Sequence, residues 1–505
     1  MLNYFAIFVL VTNLKHIYMK KFYILASALL ATMALSVSCS GVVEDNYVVL
    51  ASGAVQQDAE WLKVAETLSQ KHDADLVFYD KAPREVLAEL QKLSPRYVAI
   101  VDKPENLNKD FVIDMHHVSR EVDEDIYADF MWGMITGYDA AAAMKMLDNS
   151  TEPLLIKDAV ATITELKSAK WFDRYAWVDD HSRGLWGQKQ SKSAQVESDS
   201  IDMKEILKKF TDLYEAYDPD LVVTAAHATQ RNLEMPFSLG NLRPKDGKLY
   251  ADDRFTQTKW DLKESGKRRV YFAVGNCLIG DVNNTKESMA IAWMNGSNAA
   301  TMIGYVVTTW HGRNGWGGLK YWVTNPDRYT LAEAVYMNQQ DFLHQQHQWI
   351  PMLIKENYPS YGRDEFRLAR QRMREVKGDD FDMETIGFWH DRDVLAYYGD
   401  PKWEVRLQAV EAEKDYTVTS EVKGGKCIVT VKTAANFNLE RMKGDKFKQE
   451  HVLDLPFSYF FPKRLKNPTL AEGQQWDAAV DENFLFVYNA DFQPNQTYEI
   501  VIDLN

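Results

Sequence analysis

Three cysteines in 505 residues, Cys39, Cys277 and Cys427, are too few for a disulfide framework, so each needs its own explanation. Positive charge is also scarce. The 58 Lys and Arg stand against 73 Asp and Glu, and the resulting net charge of −15 disfavours nucleic acid and anionic lipid as partners. No glycine-rich phosphate loop and no G-x-S-x-G elbow occurs, so nucleotide chemistry and serine hydrolysis lack support. "HQQH" places His344 and His347 on one helix face but lacks the zinc-protease glutamate and an obvious third ligand. It reads as a helix surface, and no metal or cofactor is expected. No repeat with a period of about 20–50 residues is present.

The chain is too long for one hydrophobic core, and two or three domains are expected. Residues 19–40, "MKKFYILASALLATMALSVSCS", carry two lysines, an apolar stretch and then small residues. This is the pattern of a secretory signal, with Met19 the natural initiator and residues 1–38 outside the mature protein. Lys15, Lys20 and Lys21 interrupt the longer apolar span from residue 4 and disfavour a transmembrane helix. Cys39 closes the apolar run and looks like a bacterial lipoprotein cleavage site, with its thiol the lipid acceptor. An exported protein, lipid-anchored in the bacterial cell envelope, is the expectation.

Residues 47–101 alternate apolar runs ("YVVLAS", "ADLVFY", "RYVAIVD") with helical patterns, the signature of βαβ units on a parallel sheet. The alternation returns with strands expected at 220–226 and 269–275, a helix in "TKESMAIAWMNG" stopped by Gly296, and a strand in "AATMIGYVVTTW". The polar, Ser-rich span 187–203 reads as an exposed loop. From about residue 403 the pattern switches to period-2 alternation with no helix, which suits an immunoglobulin-like β-sandwich; Cys427, in step with Val429 and Val431, reads as buried packing. The expected divisions are 39–150, an N-terminal α/β part; 151–402, a second α/β part; and 403–505, the all-β part.

His227 and Cys277 each follow an apolar strand, in "LVVTAAHA" and "VYFAVGNC". In a parallel sheet, side chains just beyond the carboxyl ends of neighbouring strands meet at one edge. An imidazole beside a thiol raises its nucleophilicity and can return a proton to a leaving amine. The same residues are also compatible with a core cysteine and a hydrogen-bonded histidine, so the spacing alone leaves both readings open.

Four segments in order resemble the gingipain-like cysteine peptidases, relatives of the caspases. They are "VDEDIYADFMWGMITGYDA" (122–140, with Tyr127 and Asp129), "VVTAAHA", "NCLIGDVNNTKESMAIAWMNGSNAATMIGYVVTTW", and "VLAYYGDPKWEVRL" with Gly399-Asp400-Pro401. The resemblance implies a caspase-like α/β catalytic unit in two subdomains followed by the β-sandwich. It implies peptide or protein substrates, His227 and Cys277 as the catalytic pair, and the backbone N–H groups of Ala228 and Cys277 as oxyanion donors. Trp310 and Trp316 in "TTWHGRNGWGG" would wall the substrate pocket on a mobile glycine loop. Alanine at 228 stands where the family has glycine; it keeps the N–H but resists positive φ. The alternatives are a peptidase-like surface protein that binds without cutting and a sortase-like processing enzyme.

Overall fold

The computed structural model describes residues 41–162, 171–179, 184–235, 240–362, 364–411, 414–445, 447 and 452–504. The expected signal segment and Cys39 lie outside the described residues. Among the described residues, twelve strands form one sheet. They are β1 (Tyr47–Ser52), β2 (Asp75–Tyr79), β3 (Tyr97–Val101), β4 (Met131–Ile135), β5 (Asp158–Ala161), β6 (Arg174–Val178), β7 (Leu185–Lys189), β8 (Glu197–Ser200), β9 (Leu221–Thr224), β10 (Arg269–Ala273), β11 (Ala299–Tyr305) and β12 (Leu395–Tyr398). Their order is β2-β1-β3-β4-β12-β11-β10-β9-β5-β6-β7-β8.

The fully buried runs of β1, β3, β9, β10 and β11 are what a sheet covered on both faces requires. The two expected halves are joined in this single sheet. β1–β4 and β12 are parallel to one another, β11, β10, β9, β5 and β6 are parallel to one another, and the antiparallel β11–β12 pair is the seam. The carboxyl ends of β9, β10 and β11 therefore lie at the edge opposite to those of β1, β3 and β4.

Two expectations are corrected. Within 187–203, Leu185–Lys189 and Glu197–Ser200 are strands, the last fully exposed. An edge strand that faces water on both sides has no apolar alternation to betray it. Residues 403–505 are also not free of helix, since Leu439–Met442 forms one turn capped by the Asn438 side chain. The rest of that part is two antiparallel sheets of four and three strands around Cys427, Val429, Val431, Phe457, Leu485, Ile500 and Ile502. Phe460, Phe484 and Phe486 of the smaller sheet belong to the large core of the α/β unit, so the two parts are packed together. The short strand Val405–Leu407, past the expected boundary, pairs in parallel with Leu154–Ile156 of the α/β unit.

Four helices frame the site: α1 (Met289–Asn295), α2 (Arg313–Thr324), α3 (Leu331–Trp349) and α4 (Met383–Asp391). Ser288 caps α1 through the Ile291 N–H, and Thr330 with Glu333 forms a capping box on α3.

Candidate functional site

β9 and β10 are adjacent and parallel, with Leu221 opposite Val270 and Thr224 opposite Ala273. The chain leaves β9 through Ala225, Ala226 and His227, and leaves β10 through Val274, Gly275, Asn276 and Cys277. Both exits fall at one sheet edge.

Sequence reasoning missed the residue that ties the two exits together. Asn276 is fully buried. Its amide Nδ2 donates to the Ala226 carbonyl (2.9 Å), and its Oδ1 accepts from the Thr224 hydroxyl (2.9 Å), which itself lies 2.9 Å from the Tyr271 hydroxyl. The residue before His227 and the residue before Cys277 are thus held by one side chain. A polar residue interrupting an apolar run just before the cysteine was the available signal. A second tie lies beyond the site residues, where Gln230 donates to the buried Asp281 carboxylate (3.0 Å), and the carboxyl of Asp281 is pushed up by burial.

Cys277 is partly exposed. Its thiol lies 3.8 Å from the Thr309 hydroxyl at the exit of β11. The following residue, Leu278, has φ 59°, a left-handed conformation uncommon for a bulky side chain. It is held there by its N–H on the Val307 carbonyl (2.9 Å) and by Gly280 N–H on Tyr305 (2.9 Å). Such strain persists only where the surroundings impose it. The Cys277 N–H donates to no acceptor among the described residues.

His227 is exposed, its carbonyl accepts from Glu234 N–H (2.8 Å), and its ring has no hydrogen-bond partner among the described residues. The thiol and the imidazole are therefore not hydrogen-bonded to each other in this conformation. Ala228 opens the short strand Ala228–Thr229, paired with Leu233, without positive φ. Alanine's resistance to the left-handed region is never tested here.

The expected mobile glycine loop is instead the start of a buried helix. Gly312 (φ 68°) is the N-cap of α2, and Gly315, Gly317 and Gly318 lie inside it. They allow close approach: a Cβ on Gly315 would stand 2.3 Å from the Val274 carbonyl oxygen, and one on Gly317 would stand 2.1 Å from Asn338 Oδ1. Trp316 is 5% exposed, its indole set against Gly275 and the Phe447 ring. It supports the cysteine loop from behind rather than walling an open pocket. Trp310 stays partly open and meets half-exposed Phe366 edge to face (centroids 4.4 Å).

Behind Trp310, Asp391 is fully buried. It accepts the Arg313 N–H (2.8 Å) and lies 3.0 Å from His390 Nδ1. His344 is no simple surface residue. It stacks on Tyr488 (4.6 Å), and its Nδ1 meets the Tyr127 hydroxyl (2.9 Å). Among the described residues, no group of three or more His, Cys, Asp and Glu is arranged to hold a metal ion.

Solved structures align with most of the chain at low identity. The crystal structure of the Arg specific cysteine proteinase gingipain R (RGPB) aligns over 91% of this chain and 91% of its own, with a TM-score of 0.44 and 9% identity. The complex of Porphyromonas gingivalis RgpB pro- and mature domains aligns over 91% and 93%, with a TM-score of 0.40 and 10% identity. No family model matches the sequence. No curated protein matches it either.

Proposed function

We propose that this protein is an exported cysteine endopeptidase. The observation that carries the reading is the delivery of His227 and Cys277 to one edge by adjacent parallel strands, with Asn276 locking the two exits together. Cys277, as thiolate, attacks the peptide carbonyl carbon. His227 accepts the thiol proton and returns it to the departing amine, and water then releases the acyl group from sulfur. The uncommitted N–H of Cys277 serves as one oxyanion donor and Ala228 N–H as the second. Trp310 contacts the substrate. Catalytic hydrogen bonds often tighten only in the complex, so the imidazole must swing onto the thiol when substrate binds. Residues 19–38 direct export, and Cys39 carries lipid.

A specific observation favours a second reading, a peptidase-like surface protein that binds peptide without cutting: the thiol's partner is Thr309, and the His227 ring is unengaged. A thiol-reactive peptide probe decides. Labelling of the wild type that disappears in Cys277→Ala, and drops at least about a hundredfold in rate in His227→Ala, supports the enzyme. An unlabelled wild type near neutral pH supports the binder.

A further inference from the structure

A cavity of about 390 Å³ opens between the turn after α2 and the C-terminal β-sheets, far along the chain from Cys277. Its size falls in the range of small-molecule sites. Its lining mixes apolar side chains with buried polar ones. Asp415 is 3% exposed, Tyr329 4% and Ser458 7%, and the hydroxyls of Tyr329 and Ser458 lie 2.9 Å apart.

Two guanidinium groups stand beside Tyr416 with donors to spare. Arg328 stacks on the Tyr416 ring (3.4 Å from Cζ to the centroid) and donates to the Tyr416 carbonyl (3.0 Å). Among the described residues, no carboxylate lies within ion-pairing distance of it. Arg441 spends Nη2 on Asp415 and on the Asn436 carbonyl (3.1 Å), but its Nε is buried without an acceptor. A buried donor left unmade is expensive, so the Arg441 Nε points to an acceptor that belongs there.

We propose that this cavity binds a small hydroxylated monocarboxylate, of the sugar-acid class. The ligand's carboxylate takes the free donors of Arg328 and Arg441, the bidentate geometry guanidinium groups favour. Asp327 and Asp415, also in the lining, accept from ligand hydroxyls. The same two carboxylates disfavour a second negative charge on the ligand, and the remaining cation of the lining, Lys414, is already paired with Glu411 (2.8 Å). A neutral sugar leaves both guanidinium groups unanswered. The site is independent of the thiol chemistry.

Calorimetric titration of the full chain with D-glucuronate, D-glucose and inorganic phosphate tests this. Glucuronate is expected to bind saturably and raise the unfolding midpoint, while glucose and phosphate at equal concentration do neither. Arg328→Gln is expected to weaken glucuronate at least about tenfold with an unchanged ligand-free midpoint. A glucuronate-soaked crystal of the wild type, which needs no variant to fold, is expected to place the carboxylate between the two guanidinium groups. Absence of saturable glucuronate binding, equal binding of glucose, displacement by phosphate, undiminished binding to folded Arg328→Gln, or density elsewhere each overturns the proposal.

Discussion

At the scale of single residues, the site depends on an amide that does no chemistry. Asn276 makes two hydrogen bonds, one to each half of the β9 exit. Asn276→Ala leaves the Ala226 carbonyl without its donor and the Thr224 hydroxyl without its acceptor. The expected loss is about 2–3 kcal/mol of stability, read by urea denaturation. Because the loops bearing His227 and Cys277 are then untethered, labelling of Cys277 by a peptide probe should slow more than labelling by a small alkylating agent. Equal slowing of the two would assign Asn276 a purely structural role. Cys427 behaves oppositely to Cys277: fully buried among Val429 and Val431, its thiol pushed up to about 11 by burial, it should resist alkylation in the native state.

At the scale of elements, α2 shows how a helix is placed by what it lacks. Glycine inside a helix is normally a weakness, and Gly→Ala normally stabilises by up to about 1 kcal/mol. Gly318 follows that rule, since a Cβ there would meet Phe272 and Val335 at 3.5 Å, an ordinary contact. Gly315 breaks it, since its Cβ would drive into the Val274 carbonyl at the start of the cysteine loop. Gly318→Ala is therefore expected to be neutral or stabilising, and Gly315→Ala to destabilise by about 1–3 kcal/mol and to slow Cys277 labelling. Thermal unfolding of both variants checks the opposite signs.

At the scale of the whole molecule, two carboxylate clusters set opposite pH limits. Asp400 accepts from the Tyr47 hydroxyl (2.9 Å), Lys71 (2.9 Å) and His72 (2.7 Å), joining β1, the helix Ala59–His72 and the end of β12. Burial pushes its carboxyl up, but the His72 hydrogen bond and the Lys71 charge outweigh burial and hold it well below the usual range. Its stabilisation is present above the ordinary carboxylate pKa of about 4 and is lost as pH falls through the lowered value. Asp129 is the reverse. Burial, then the charges of Asp123, Asp125 and Asp481, push it up to about 9, and Asp125 is pushed to about 6 by burial and Asp123. These groups hold protons more tightly folded than unfolded, so stability declines as pH rises from about 4 towards 9. The unfolding midpoint should peak in mildly acidic solution. Asp129→Asn should flatten the alkaline decline, and a variant that tracks the wild type from pH 5 to 9 would remove Asp129 as its cause.

The sequence by itself determined the alternation of strands and helices, the switch to β-structure near residue 403, the burial of Cys427, and the strand-end positions of His227 and Cys277. All of these are written in local periodicity, which reports which faces of an element are apolar. Tertiary structure alone decided that β9 and β10 are neighbours and that the sheet reverses at the β11–β12 seam. It also decided that Ser-rich Glu197–Ser200 is an edge strand, that the glycines after Trp310 seat a helix against Val274, and that Arg328 and Arg441 share a cavity. Each is a contact between segments far apart in the chain, fixed by shape and by hydrogen-bond satisfaction across the fold, and no local pattern of residues encodes it.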